Sequence, residues 1–344
     1  MSLKSSTRRV LLCICDGMGH SENRVKNAVF DASTPHLDEI FSSYPYRKIT
    51  PGGVSVGLPK GVPGNSEVGH MNIGAGRPVR QDLVRINEKV SKDTLKDMDK
   101  IRELISESRN SSKRIHLMTL LSDGGVHSHI DHLKAVLEIF KKEHDLEIFL
   151  HAFMDGRDTP RTNGIKYIKE ITSEYSNFTF TSMQGRAVGM DRDRRFEKIE
   201  HAYLMMTGRG EKTTINPTEY IQTEYDKEIY DEFITPVLLN EKGAIESDDS
   251  IFFLNFRPDR AKQIATAFCD KNFSEFKNDI IPNYFLCMSP YIDEEFPEVP
   301  ILFNREKVKG TLSEHLSNLG KKQLKIAETE KYAHVTYFLS LIHI

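Results

Sequence analysis

Five times along this chain a short apolar run stops at a polar turn built from Gly, Asp, Asn or Arg. The runs are residues 10–15 before Asp16-Gly17, 115–121 before Ser122-Asp-Gly-Gly125, 148–154 before Asp155-Gly-Arg-Asp158, 178–183 before Gln184-Gly-Arg186, and 251–254 before Asn255-Phe-Arg257. Helical periodicity follows at 130–142, 194–206 and 260–268. Apolar strands alternating with helices predict a parallel α/β sheet, in which ligands gather beyond the carboxyl ends of the strands. Every polar motif named above falls at such an end. Polar stretches at 106–113, 208–217 and 241–250 read as loops, and 311–319 as a further helix.

A chain of 344 residues exceeds the usual span of one hydrophobic core and predicts two domains, with crossings near 77–78 and 308–310. A net charge of −3 gives no global basic excess, which argues against nucleic acid and anionic membranes as partners and leaves any anion site to local residues. The first nine residues lack the apolar stretch of a signal peptide, and no apolar run approaches the ~20 residues of a membrane span. Four cysteines, two of them alternating on the run 10–15 expected to be a buried strand, suit a reducing cytosol. The expectation is a cytoplasmic, monomeric protein acting on a small molecule.

Three constellations carry chemistry. Ser66, between Gly64-Asn65 and an expected helix start, can present its hydroxyl beside unpaired backbone N–H groups, and Asp16 can hold a cation against it. No His or Lys is near in sequence to act as its base, so metal coordination is the natural activator. The plain alternatives are a helix N-cap for Ser66 and a turn-forming aspartate for Asp16. Second, Arg157, Arg186, Arg192, Arg257 and Arg260 stand at or just past strand ends, where guanidinium forks would bind a small polyanion, against the alternative of solvated surface charge; Arg194 and Arg195 fit the surface better. Third, His127-Ser-His129-Ile-Asp131-His132 invites a metal reading, but a site needs three or four ligands, and His127 fits a substrate ligand with the others structural. Lys331, after an expected strand at 324–330, could balance a transferring phosphate or simply face solvent.

Taken together these motifs resemble the cofactor-independent (2,3-bisphosphoglycerate-independent) phosphoglycerate mutases of the alkaline phosphatase superfamily. Asp16-Gly-Met-Gly19, Gly64-Asn-Ser-Glu-Val-Gly-His70, Leu121-Ser-Asp-Gly-Gly-Val-His-Ser-His129, Asp155-Gly-Arg-Asp-Thr-Pro160, Met190-Asp-Arg-Asp193, Asn255-Phe-Arg-Pro-Asp-Arg260 and Ala327-Glu-Thr-Glu-Lys-Tyr-Ala-His-Val-Thr336 stand in the family's order. The resemblance implies an alkaline-phosphatase-like sheet domain, from 1–78 and 309–344, interrupted by an inserted α/β phosphotransferase domain at 79–308. It implies interconversion of 3-phosphoglycerate and 2-phosphoglycerate, in glycolysis and gluconeogenesis, through a phosphoserine on Ser66. Asp16 and Ser66 would contact manganese, of which the complete family site holds two ions. His127, Arg157, Asp158, Arg186, Arg192, Arg257, Arg260 and Lys331 would contact substrate, and Asp158 is expected to carry the proton at the glycerate hydroxyls. Domain closure about the two crossings would keep water from the phosphoserine.

The family continues past the equivalent of residue 344 with its remaining metal ligands, including an Asp-His-Gly-Asn-type motif, and after Phe338 it has an Asn-Gly-Gly-type turn where this chain reads Leu339-Ser-Leu-Ile-His-Ile344. That end resembles an interrupted frame. The expectation is an incomplete phosphatase-like sheet and negligible mutase activity for the chain as written. Two alternatives stay open: another metal-dependent phosphatase or phosphomutase of the superfamily, and a non-catalytic phosphoglycerate-binding fragment.

Overall fold

Six strands form one sheet in the computed structural model of the chain: β1 (Arg114–Leu121), β2 (Glu147–Met154), β3 (Thr179–Gly185), β4 (Val237–Leu238), β5 (Ser250–Phe253) and β6 (Tyr284–Cys287). The structure describes residues 9–291, 299–304 and 307–341. The chain divides into two compact units, Met1–Arg80 with Lys307–Ile344, and Gln81–Glu306. All six strands belong to the second unit, a mixed α/β fold.

Sheet order is β4-β3-β2-β1-β5-β6. The pairs β1–β2, β1–β5, β2–β3 and β5–β6 are parallel, and only β3–β4 is antiparallel. Beyond its first residue β1 is buried throughout, as is β2, which is why both read as nearly continuous apolar runs rather than as alternating ones. Helices Asp99–Arg109 and Gly164–Glu174 pack on β1, and Phe196–Met206 on β3 and β4. Their buried stripes, such as Ile199, Ala202, Tyr203 and Met206, recur at helical spacing. The chain runs from β1 outward to β3 on one side, then returns to lay β5 and β6 on the other. The order therefore reverses between β1 and β5, the kind of switch point beyond which ligands collect in open α/β sheets.

Several expectations are corrected. Residues 10–15 form no strand: Val10 and Leu11 are 92% and 87% exposed, and Cys13 and Cys15 are exposed as well. A strand needs a neighbour for its ladder, and the described residues of the first unit contain none. The expected strand at 324–330 is absent for the same reason, with Leu324 and Ile326 exposed and a 3-10 turn at Thr329–Lys331. The expected loop at 106–113 begins as helix, since Asp99–Arg109 carries Ile101, Leu104 and Ser108 on its buried face. The Ser108 hydroxyl is satisfied there by the Leu104 carbonyl at 2.7 Å. Strands β4 and β6 were not expected, being two and four residues long without a Gly or Asp turn behind them.

The first unit is helical, with a small core of Leu58, Val68, Met71, Ala75 and Leu341. Helix Ser66–Ala75 is its centre, and the π-helical turn His334–Phe338 packs on it. No helix among the described residues is long and apolar enough to cross a membrane.

Candidate active site

Helix Ser66–Ala75 is capped by Asn65, whose side chain accepts from the Val68 N–H at 2.9 Å. The cap is thus the residue before Ser66, and Ser66 occupies the first helical position with its hydroxyl free for other partners. Gly64 is required by a close approach: a Cβ there would lie 1.8 Å from the Pro51 carbonyl oxygen. Ser66 Oγ donates to Asp16 Oδ2 at 2.6 Å and accepts from Lys331 Nζ at 2.9 Å, while Lys331 also pairs with Asp16 Oδ2. The hydrogen bond from Lys331, then that from Ser66, lowers the Asp16 carboxyl to about 2. A carboxylate that acidic aligns the serine proton but is a poor base for it near neutral pH. Lys331, 265 residues away in sequence, is the cation that sequence proximity could not supply.

Asp16 and Ser66, the pair expected at manganese, therefore do touch. They offer two oxygen donors where manganese prefers an octahedral set, and the Lys331 ammonium takes the cationic position beside them. Among the described residues no three His, Cys, Asp or Glu gather closely enough to hold an ion. These residues do not form a metal centre by themselves.

In the second unit the loops at the carboxyl ends of β1, β2, β3 and β5 bring the arginines together. Asp155, at the end of β2, is buried and serves as a hub: Oδ2 accepts from Ser122 Oγ at 2.5 Å, and Oδ1 from the N–H groups of Arg157 and Asp158 at 3.2 and 3.0 Å and from Arg186 Nη1 at 2.5 Å. Arg186 Nη1 also reaches Asp158 Oδ2 at 2.5 Å. Burial works against the Arg186 charge, yet its bonds to Asp158 and Asp155 still raise its pKa above the ordinary value. At Gly156 φ is +65° and a Cβ would come within 2.7 Å of the Glu232 nitrogen, so only glycine lets the loop turn this tightly.

Arg260 is buried and donates to the Met190 carbonyl at 3.0 Å. Its pKa falls through burial and then through the charges of Arg186, Arg192 and Arg157, which places four guanidinium groups within one another's fields. The outer three are about half exposed and held by carboxylates: Arg157 by Glu232 at 3.5 Å, Arg192 and Arg257 by Asp259 at 3.0 and 3.1 Å. His127 is buried and lowered to about 4 by burial first and the Arg186 charge second, so it is neutral at pH 7. The Phe256 N–H bonds the His127 carbonyl at 2.7 Å, tying the β1 and β5 loops together.

His129 instead caps helix Ile130–Phe140, and His132 is buried against Asn87 at 2.7 Å. Arg195 pairs with Asp191 and Asp193, and Arg194 is exposed, 4.0 Å from Glu275. The acidic residues that pin the site, Asp155, Glu232 and Asp259, were missed. Asp155 and Asp259 stand inside motifs already singled out, and the signal was charge balance: five converging arginines need carboxylates to hold them apart.

A carboxylate-braced cluster of arginines, Arg186 and Arg260 buried and the other three half-exposed, stands at the switch point of a largely parallel sheet, which is the chemistry of a small-polyanion site. The family described as BPG-independent PGAM N-terminus matches residues 86–293. The 2,3-bisphosphoglycerate-independent phosphoglycerate mutase of Clostridium novyi is 43% identical over 339 residues, covering 96% of this chain and 66% of its own length. That of Clostridioides difficile is 44% identical over 342 residues, covering 96% and 66%. A crystal structure of Leishmania mexicana phosphoglycerate mutase at low cobalt concentration superposes with a TM-score of 0.71 at 29% identity, covering 94% of this chain and 63% of that one. The chain belongs to the 2,3-bisphosphoglycerate-independent phosphoglycerate mutase family, and it spans about two thirds of the length of these curated relatives.

Proposed function

We propose that this chain carries the phosphoglycerate-handling residues of a mutase that interconverts 3-phosphoglycerate and 2-phosphoglycerate in the cytoplasm, as a monomer and without 2,3-bisphosphoglycerate. On this reading the unit Gln81–Glu306 is an inserted phosphotransferase domain, and the other unit is part of an alkaline-phosphatase-like domain. The observation that carries the proposal is the gathering of His127, Arg157, Asp158, Arg186, Arg192, Arg257 and Arg260 beyond the ends of β1, β2, β3 and β5. A dianionic phosphate and a carboxylate on a three-carbon skeleton need this density of guanidinium groups, and little apolar lining.

Each residue then has a task. The buried arginines Arg186 and Arg260 are preorganised, so charge developing on the transferring group meets fixed donors. The half-exposed Arg157, Arg192 and Arg257 can exchange their carboxylate partners for substrate oxygens. Ser66 Oγ attacks phosphorus, its proton leaving to solvent, and the bond from phosphorus to the glycerate oxygen breaks. Asp158 delivers a proton taken from solvent to that oxygen, the glycerate reorients, and the other hydroxyl gives its proton to Asp158 as it takes the phosphoryl group back, Ser66 Oγ regaining a proton from solvent. Lys331 neutralises the group while it resides on Ser66. Manganese enters the proposal only as the ion of the complete family site, to which Asp16 and Ser66 can lend two oxygens.

Calorimetric titration of the chain with 3-phosphoglycerate tests the reading. Arg257→Ala should weaken binding about tenfold or more, the scale of a lost hydrogen bond to a charged group. Absence of binding to the unaltered chain, or equal binding in the variant, would sink the proposal.

A further inference from the structure

Asp259 lies among three of the proposed substrate residues. Its Oδ2 accepts from Arg192 Nη1 at 3.0 Å, and Arg257 Nε stands 3.1 Å from Oδ1 without the alignment of a hydrogen bond. His127 Nδ1 lies 3.6 Å from the same Oδ1. Both of these facing atoms, His127 Nδ1 and Asp259 Oδ1, are sealed from solvent, and neither has a hydrogen-bond partner. Two buried polar atoms that face each other without a hydrogen bond are costly unless they form one at some stage of the working cycle. Catalytic hydrogen bonds are commonly long in the unliganded protein and tighten in the complex.

We infer that Asp259 is a positioning residue that holds the His127 proton on Nδ1 and leaves Nε2 as a lone pair for the ligand. A carboxylate can only accept, so the ring must carry its hydrogen on the nitrogen facing it. The charged groups acting on His127 are Arg186 and Arg257, which disfavour a second proton, and Asp259 and Asp158, which favour one; burial settles the ring as neutral. A neutral ring with its hydrogen on Nδ1 accepts from a glycerate hydroxyl rather than donating to a phosphate oxygen. This deepens the proposed function and rests on it for the identity of the ligand, but the tautomer is a property of the chain alone.

The test is long-range nitrogen–proton NMR on histidine-labelled protein at pH 7, with His127 assigned from a His127→Gln variant. The expected result is the Nδ1–H tautomer in the unaltered chain, kept in Asp259→Asn, whose amide oxygen still accepts, and lost in Asp259→Ala. Binding of 3-phosphoglycerate should fall about tenfold in Asp259→Ala and less than about threefold in Asp259→Asn, since only the first removes the acceptor. An Nε2–H tautomer in the unaltered chain, or an undisturbed Nδ1–H tautomer in folded Asp259→Ala, would overturn the inference. If neither variant folds, the tautomer of the unaltered chain decides. If the unaltered chain binds no 3-phosphoglycerate, the proposed function fails while the tautomer still decides this inference.

Discussion

Residues 10–15 and β1 are similar pieces of sequence, apolar runs ending in an Asp-Gly or Ser-Asp-Gly turn, yet they have opposite fates. In β1 every residue from Ile115 to Leu121 is buried, with β2 on one side and β5 on the other. In residues 10–15, Val10 and Leu11 are almost fully exposed. The difference is the company each keeps. A strand in a parallel sheet gains nothing from its own sequence neighbours; its hydrogen bonds and contacts come from chain many residues away. The unit Gln81–Glu306 supplies those partners and buries a continuous core, whereas the other unit, among the described residues, rests on helix Ser66–Ala75 and one small cluster of five buried apolar side chains.

The largest expected effect of that contrast is in hydrogen exchange. Amides of β1, β2 and β3 should outlast those of helix Ser66–Ala75 by orders of magnitude, because local opening follows buried apolar contact. Equal protection of the two regions would break the comparison. Next comes the buried hub: Asp155→Ala leaves Arg186 with one carboxylate and two backbone N–H groups without their acceptor. Urea unfolding of the sheet unit should lose about 3 to 5 kcal/mol, the cost of breaking a buried pair. A loss under about 1 kcal/mol would mean Asp158 suffices as the partner.

Acid sharpens the contrast further. His116, His127, His132 and His151 are all buried in the sheet unit and all lowered from 6.5, chiefly by burial. His116 and His151 form a chain across the strands, with Asp249 at 2.9 Å from one and Ser182 at 2.8 Å from the other. Below about pH 6.5 the unfolded chain binds protons at these rings that the folded chain does not, so stability falls as pH drops through that value towards the folded pKa values. Melting followed by near-ultraviolet circular dichroism between pH 7.5 and pH 5 should move down; a flat profile would show that the folded rings accept protons. The smallest effect belongs to the other unit. Lys331→Met should return the Asp16 carboxyl from about 2 towards its ordinary 3.8, read by carboxyl NMR, with little change in stability because both groups are partly exposed.

Much of this molecule was legible from residue order. Strands β1, β2, β3 and β5 were each anticipated to within two residues at either end, because fully buried strands are written as unbroken apolar runs. The arginines were legible as a group, since each stands just past such a run. What was not legible came in two kinds. Short elements, β4 and β6, have no polar turn behind them to mark their ends, whereas β5, no longer than β6, is marked by Asn255-Phe-Arg257. The carboxylates Asp155, Glu232 and Asp259 have meaning only through partners contributed by other loops, such as Arg186 for Asp155 and Arg192 for Asp259.

By itself the sequence determined the ends of β1, β2, β3 and β5, the arginines that stand just past them, and membership in a mutase family through motifs kept in order. Tertiary structure alone decided the strand order, and with it the reversal between β1 and β5 that sets His127 opposite Arg257 and Asp259. It alone brought Lys331 to Ser66 across 265 residues and left residues 10–15 unpaired. The physical reason is common to all three. Local sequence sets which conformation a segment prefers and which side chains it presents, but pairing between distant segments is a property of the whole chain's packing.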